Sequence, residues 1–104
     1  MKYINNTYTV EKCSLNKVIK KFDTPFFCYS EKKINENIKS FKNSFKSFSP
    51  IICFSTKSNC NLEILKLIKR NGLGADVVSK GELMIALKAG INSKKIVFFS
   101  FTLV

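Results

Sequence analysis

The 104-residue chain contains no histidine and one arginine, Arg70, and its seven acidic residues are few against 18 basic ones. Without histidine to complete a zinc site, and with Cys13, Cys28, Cys53 and Cys60 in no Cys-x-x-Cys pair, the chain lacks the ligand spacing of the usual zinc sites, so no metal is expected. No basic-then-apolar signal segment opens the chain, which makes a reducing cytoplasm the expected compartment. Cys28 and Cys53 lie inside apolar runs and read as small buried hydrophobes. No apolar stretch approaches the ~20 residues of a membrane helix, so a soluble protein with no membrane partner is expected. The formal charge of +11 invites a polyanion, but it rests on lysines scattered along the chain. Nucleic-acid readers lean on the bidentate arginine fork, which is all but missing, so no nucleic-acid partner is expected.

What the chain has is material for a core: 45% of its residues are hydrophobic and 12% aromatic. Their spacing alternates between two periods. "YINNTYTV", residues 3–10, reads as an extended segment or hairpin around Asn5-Asn6. Ser14 is a candidate N-cap for a short helix with Leu15, Val18, Ile19 and Phe22 on one face. After Thr24-Pro25, "FFCY" has the continuous apolar character of a strand buried on both faces. Ser30 caps a longer helix with Ile34, Ile38, Phe41, Phe45 and Phe48 as its core stripe, and Pro50 stops it. "IICFS" is a second strand; Asn61 caps "LEILKLIKRN", which Gly72 ends. "ADVV" is a third strand. Ser79 and Glu82 form a capping box opening "KGELMIALKA", which Gly90 closes, and "KIVFF" is a fourth strand.

Strands alternating with helices through short connections imply parallel pairing and an α/β fold. The pattern alone leaves open a doubly wound sheet or the beginning of a (β/α)8 barrel, of which this length would hold half. In either, chemistry gathers beyond the carboxyl ends of the strands. Lys57 lies there, just past "IICFS". A solvated loop lysine is the commoner explanation of such a residue.

The surrounding block favours chemistry. "STKSNCNLEILKLIKRNGLGADVVSKGELMIALKAGINSKKIVF" resembles the amino-terminal barrel domain of diaminopimelate decarboxylases, within the ornithine/diaminopimelate/arginine decarboxylase group of pyridoxal-phosphate enzymes. That family's tyrosine-alanine-x-lysine-alanine-asparagine strand end appears here as Phe54-Ser55-Thr56-Lys57-Ser58-Asn59. "GLGADVVSKGEL", "ALKAGI" and the earlier "TPFFCYSEKKINENIKSFKNSF" extend the likeness over roughly residues 24 to 98.

The resemblance implies the first half of an alanine-racemase-like (β/α)8 barrel that binds pyridoxal 5'-phosphate, with residues 1–23 as an amino-terminal strand and helix and 24–104 as part of the barrel. It implies Lys57 as the catalytic, cofactor-linking lysine, whose amine condenses with the cofactor aldehyde and then exchanges with the amino group of a small amino-acid substrate. Asp76 and Glu82 match acidic positions that lie near that lysine in the group, although Glu82 is also explained as a capping residue and Asp76 as a strand-end turn residue. The implied reaction is decarboxylation of meso-diaminopimelate to L-lysine, as part of lysine biosynthesis, by a homodimer when full length.

Alanine racemases would place tyrosine-glycine-histidine-glycine after the lysine, where this chain has "SNCNLE". The small pyridoxal-phosphate homeostasis proteins carry phenylalanine-glycine-glutamate-asparagine where it has "GADVVS". Ornithine- or arginine-type decarboxylases are the alternative substrate class. Phe54, Ser55 and Ser58 depart from the common tyrosine and alanines, and Asp23 from a glycine. After "KIVF" the family's serine-glycine-x-x-lysine loop gives way to "FSFTLV", so a truncated, inactive piece of a decarboxylase is expected. A small anion-binding α/β module and a basic nucleic-acid binder are the readings from other classes.

Overall fold

The computed structural model describes residues 1–99. The chain divides into two compact units, Met1–Asn37 and the part from Ile38 on.

In the first unit, β1 (Lys2–Ile4), β2 (Thr7–Val10) and β3 (Cys13–Ser14) form an antiparallel sheet in that order. Ile4 pairs with Thr7 across the two-residue turn Asn5-Asn6, both at positive φ (47° and 58°). This is the left-handed backbone that a primed hairpin turn demands and that asparagine tolerates. Tyr3 and Tyr8 sit opposite each other and meet edge to face at 4.9 Å. The short α1 (Leu15–Ile19) begins at Ser14, whose side chain makes no cap hydrogen bond, and leaves Ile19 and Phe22 exposed. The expected "FFCY" strand is absent: residues 26–29 pair with no strand among the described residues, and Phe27 is 89% exposed. An apolar run supplies the side chains of a buried strand but not its neighbours, and here none is hydrogen-bonded to it.

The helix α2 (Glu31–Ser44) begins in the first unit and ends in the second. Ser30 caps it as expected, its Oγ accepting from the Lys33 N–H at 3.1 Å. The aromatic part of its stripe does not enter a core. Phe41 and Phe45 meet at 4.9 Å with their rings tilted by 41°, and both remain exposed, as does Phe48 in the 3₁₀ turn Lys46–Phe48 that follows.

The second unit carries the parallel sheet. β4 (Cys53–Ser55), β5 (Gly74–Val77) and β6 (Ile96–Phe98) lie side by side in sequence order, with α3 (Leu62–Arg70) and α4 (Lys80–Lys88) as the connections. Asn61 caps α3 by accepting from the Glu63 and Ile64 N–H groups, and Gly72, at φ +74°, ends it. Leu65 and Ile68 of α3 and Ala86 and Ala89 at the end of α4 are buried with Ala75 and Val77 of β5. Phe54 and Ile96, in register with Ala75, pack on the same cluster. Each fully buried leucine or isoleucine contributes about 1.5–3 kcal/mol.

Because side chains alternate along a strand, Cys53, Ser55, Gly74, Asp76 and Val97 belong to the opposite face. The sheet is three parallel strands of a mixed α/β fold, and among the described residues it does not close into a barrel.

Candidate functional site

Pairing of Ser55 with Asp76 and of Asp76 with Val97 aligns the carboxyl ends of the three strands. Past β4 the backbone tightens into a 3₁₀ turn, Thr56–Ser58, with Lys57 at its middle and exposed. Hydrogen bonds fix this turn from several directions. The Ser58 hydroxyl donates to the Ser55 carbonyl at 2.7 Å; the Asn59 N–H and the Cys60 thiol both donate to the Thr56 carbonyl, at 3.0 Å each. Asn59 Oδ1 in turn accepts from the Asn61 N–H at 2.9 Å, which ties the turn to the cap of α3. Lys57 therefore stands on an ordered platform.

Glu82 reaches the same platform from α4. Its Oε2 lies 2.7 Å from the Thr56 hydroxyl and accepts from the Val78 N–H at 2.8 Å. These two contacts, in the order Val78 then Thr56, and to a smaller extent the charge of Lys57, hold its carboxyl below the usual carboxylate range, against a smaller opposing effect of desolvation. The expected capping box is thus half formed. Ser79 Oγ accepts from the Glu82 N–H at 3.2 Å, but the Glu82 carboxylate turns to the amide of Val78, one residue before the cap, and across to Thr56. Asp76 is half-buried, and its carbonyl lies 2.8 Å from the Thr56 hydroxyl. Its side chain belongs to the open face of the sheet with Cys53, whose thiol is pushed up by burial and then by the charge of Asp76.

The structure therefore brings the turn of Lys57, Glu82 and the Asp76 backbone together around one side chain that motif reading passes over. Thr56 is completely buried, and its hydroxyl joins the β4–α3 turn, the end of β5 and the first turn of α4. A threonine between a strand and a lysine carries no pattern of its own. The only signal was its place between the strand end and Lys57.

Two clefts of about 540 and 560 Å³ belong wholly to the first unit and include none of Lys57, Asp76 and Glu82. Among the described residues, no helix is long and apolar enough to cross a membrane.

A family profile described as pyridoxal-dependent decarboxylase, pyridoxal binding domain, matches residues 31–102. A diaminopimelate decarboxylase of Helicobacter pylori is 47% identical over 77 residues, covering 74% of this chain and 19% of the relative. One from Aquifex aeolicus is 36% identical over 98 residues, covering 94% and 23%. Among solved structures, diaminopimelate decarboxylase from M. jannaschii superposes with a TM-score of 0.89 at 33% identity, covering 95% of this chain and 24% of that one. The Helicobacter pylori enzyme complexed with L-lysine gives 0.78 at 40% identity, covering 83% and 22%. The chain spans about a fifth of the length of the curated relatives it matches.

Proposed function

The chain belongs to the pyridoxal-dependent decarboxylases, in their diaminopimelate decarboxylase-like group, and on that premise we propose that it carries the cofactor-linking segment of an enzyme that converts meso-diaminopimelate to L-lysine and carbon dioxide. The observation that carries this reading is the placement of Lys57, an exposed primary amine on a hydrogen-bonded turn at the carboxyl edge of a parallel sheet, with the carboxylate of Glu82 anchored to the same turn. Residues 24–104 are then part of the barrel domain and residues 1–23 the segment before it.

The residues fit pyridoxal 5'-phosphate on the chemistry of the donors. Lys57 offers an exposed amine, and the face of the sheet turned away from the core carries the Asp76 carboxylate and the Ser55 hydroxyl at the carboxyl ends of β5 and β4. When bound, the cofactor supplies an electron-accepting ring that stabilises the charge left on the substrate carbon as carbon dioxide departs. Lys57 would be the residue that holds the cofactor, through Nζ, and the cofactor would supply the carbonyl group that the substrate amine engages in its place. Glu82, held ionised at neutral pH by the Val78 amide, Thr56 and Lys57, keeps a fixed negative charge by the turn. Asp76 adds a second carboxylate to the open face. A homodimer working in the cytoplasm is the assembly proposed for the whole enzyme.

Incubation of the chain with pyridoxal phosphate, borohydride reduction and peptide mapping test the reading. Label concentrated on Lys57, and lost in Lys57→Ala, is expected; label concentrated on another lysine overturns it. For the substrate, residues 1–104 joined to the remainder of a diaminopimelate decarboxylase should release carbon dioxide from meso-diaminopimelate faster than from ornithine or arginine. The 104-residue chain alone is expected to take the label without turnover.

A further inference from the structure

Thr56 is the one fully buried polar side chain of the Lys57 turn, and the reaction outlined above uses it only as one of the groups that keep Glu82 ionised. Its hydroxyl has a single proton and faces two acceptors, the Asp76 carbonyl at 2.8 Å and Glu82 Oε2 at 2.7 Å. An ionised carboxylate and a carbonyl can only accept, so the two contacts cannot both be donated by Thr56 at once. We propose that Thr56 is a positioning residue for the cofactor-linking lysine: its hydroxyl holds the Glu82 carboxylate against the Lys57 turn in either protonation state of that carboxylate.

With Glu82 ionised, the Thr56 proton lies on the line to Oε2, where a charge-assisted bond is stronger than one to a neutral carbonyl. When Glu82 takes a proton from solvent, its O–H donates to Thr56 Oγ1, and the threonine's own proton turns to the Asp76 carbonyl. No proton is lost from the network, and Glu82 stays where it is. The Val78 N–H holds the same oxygen from the α4 side, so the carboxylate is gripped between two elements. The charged group whose field reaches it is Lys57, from the turn that Thr56 itself begins. Valine at position 56 would fill nearly the same volume and leave Oε2 with the Val78 amide as its remaining partner. Serine would keep the hydroxyl.

The inference rests on Lys57 being the cofactor lysine, so its test separates the two. In the cofactor-free chain, carboxyl-carbon NMR should show the Glu82 titration moving up toward the ordinary carboxylate range in Thr56→Val and returning in Thr56→Ser. With pyridoxal phosphate and borohydride, Thr56→Val should lower the share of label on Lys57 relative to the other lysines by roughly five-fold, and Thr56→Ser should restore it. A Glu82 titration that Thr56→Val leaves in place overturns the proposal. So does a moved titration with an unchanged share of label on Lys57, which would make the bond purely structural. Label concentrated elsewhere in the wild type overturns the functional reading instead, while the Thr56–Glu82 bond is still judged by the titration. If circular dichroism shows Thr56→Val to be unfolded, the wild type decides. The Thr56 hydroxyl proton resonance should follow the Glu82 titration, and a hydroxyl resonance indifferent to it overturns the proposal.

Discussion

Gly74 passes so close to the backbone of Lys95 that a Cβ at position 74 would collide with the Lys95 carbonyl oxygen. The Cys53 sulfur would also lie only 2.9 Å from it. The Gly74 N–H meanwhile bonds the Ile52 carbonyl at 2.8 Å, so β5 has little freedom to retreat. Both sides of the central strand depend on this glycine.

Gly74→Ala is accordingly expected to destabilise the second unit by about 1–3 kcal/mol, the usual cost of forcing atoms into a packed interior. Denaturant titration followed by circular dichroism measures it. Gly81→Ala is the control, because a Cβ there meets nothing nearer than the Ser79 hydroxyl at 3.9 Å. A Gly74→Ala midpoint equal to that control would contradict the close approach.

The caps at Asn61, Ser79 and Gly72 were legible in the sequence because their chemistry is local, whereas the Ser14 side chain makes no cap hydrogen bond. Asn61, Ser79 and Gly72 act on backbone within three residues of themselves, and each does what its type and position announce. Pairing is not local. "FFCY" has the composition of a buried strand and pairs with no strand among the described residues, while Phe41 and Phe45 have helical periodicity and remain exposed. Periodicity marks a face; whether anything lies over it depends on elements far away in the chain. Glu82 shows the same boundary within one residue. Its capping role was readable, but its bond to Thr56, 26 positions earlier, exists only because β4 and β5 are paired in the observed register.

In the first unit, Glu11 acts as a cap supplied from a distance. Its Oε1 accepts from the Ser30 hydroxyl at 2.9 Å and from the Lys32 N–H at 2.8 Å, at the first turn of α2. The Lys32 amide and then Ser30 hold this carboxyl below its usual range, outweighing desolvation, and the charges of Lys32 and the amino terminus add smaller contributions in the same direction. The unfolded chain binds a proton at about pH 4.3, the folded chain only at lower pH. The stabilisation is therefore complete above the ordinary carboxylate value and lost as pH falls through the folded one. The Lys32 amide resonance should titrate with a midpoint below the ordinary range, and that titration should vanish in Glu11→Gln. A midpoint at the ordinary value would remove Glu11 from the cap.

Cysteine chemistry should discriminate between sites. The Cys53 thiol is half-buried, lies 3.5 Å from the Lys95 carbonyl, and is pushed up by burial and by Asp76, so little thiolate is present near neutral pH. Cys13 is exposed. Iodoacetamide at about pH 8, a little below the ordinary thiol value, should modify Cys13 well before Cys53. Asp76→Asn should then quicken Cys53 by removing the nearby negative charge. Mass spectrometry of timed samples reads both, and Cys53 reacting as fast as Cys13 would contradict its environment.

The last expectation concerns association. Among the described residues β6 pairs only with β5, and Val97, Phe98 and Phe99 on or beside it are each about half exposed. A strand edge presents unpaired N–H and C=O groups along with whatever side chains flank it, and here those side chains are apolar. Phe41, Phe45 and Phe48 add a second exposed aromatic surface on and just after α2. The charge of +11 opposes contact between copies, but lysine repulsion is screened beyond about 8 Å at physiological ionic strength, whereas apolar contact is not. Raising salt should therefore promote association, the reverse of what a surface held together by ion pairs would do. Analytical ultracentrifugation of the chain should show mass rising with concentration and with salt. Val97→Lys, which places a charge on the open face of the edge strand, should lower that mass, and Phe45→Lys should do so separately if the helix surface takes part. A chain that stays monomeric across salt and concentration would show that neither surface drives contact between copies.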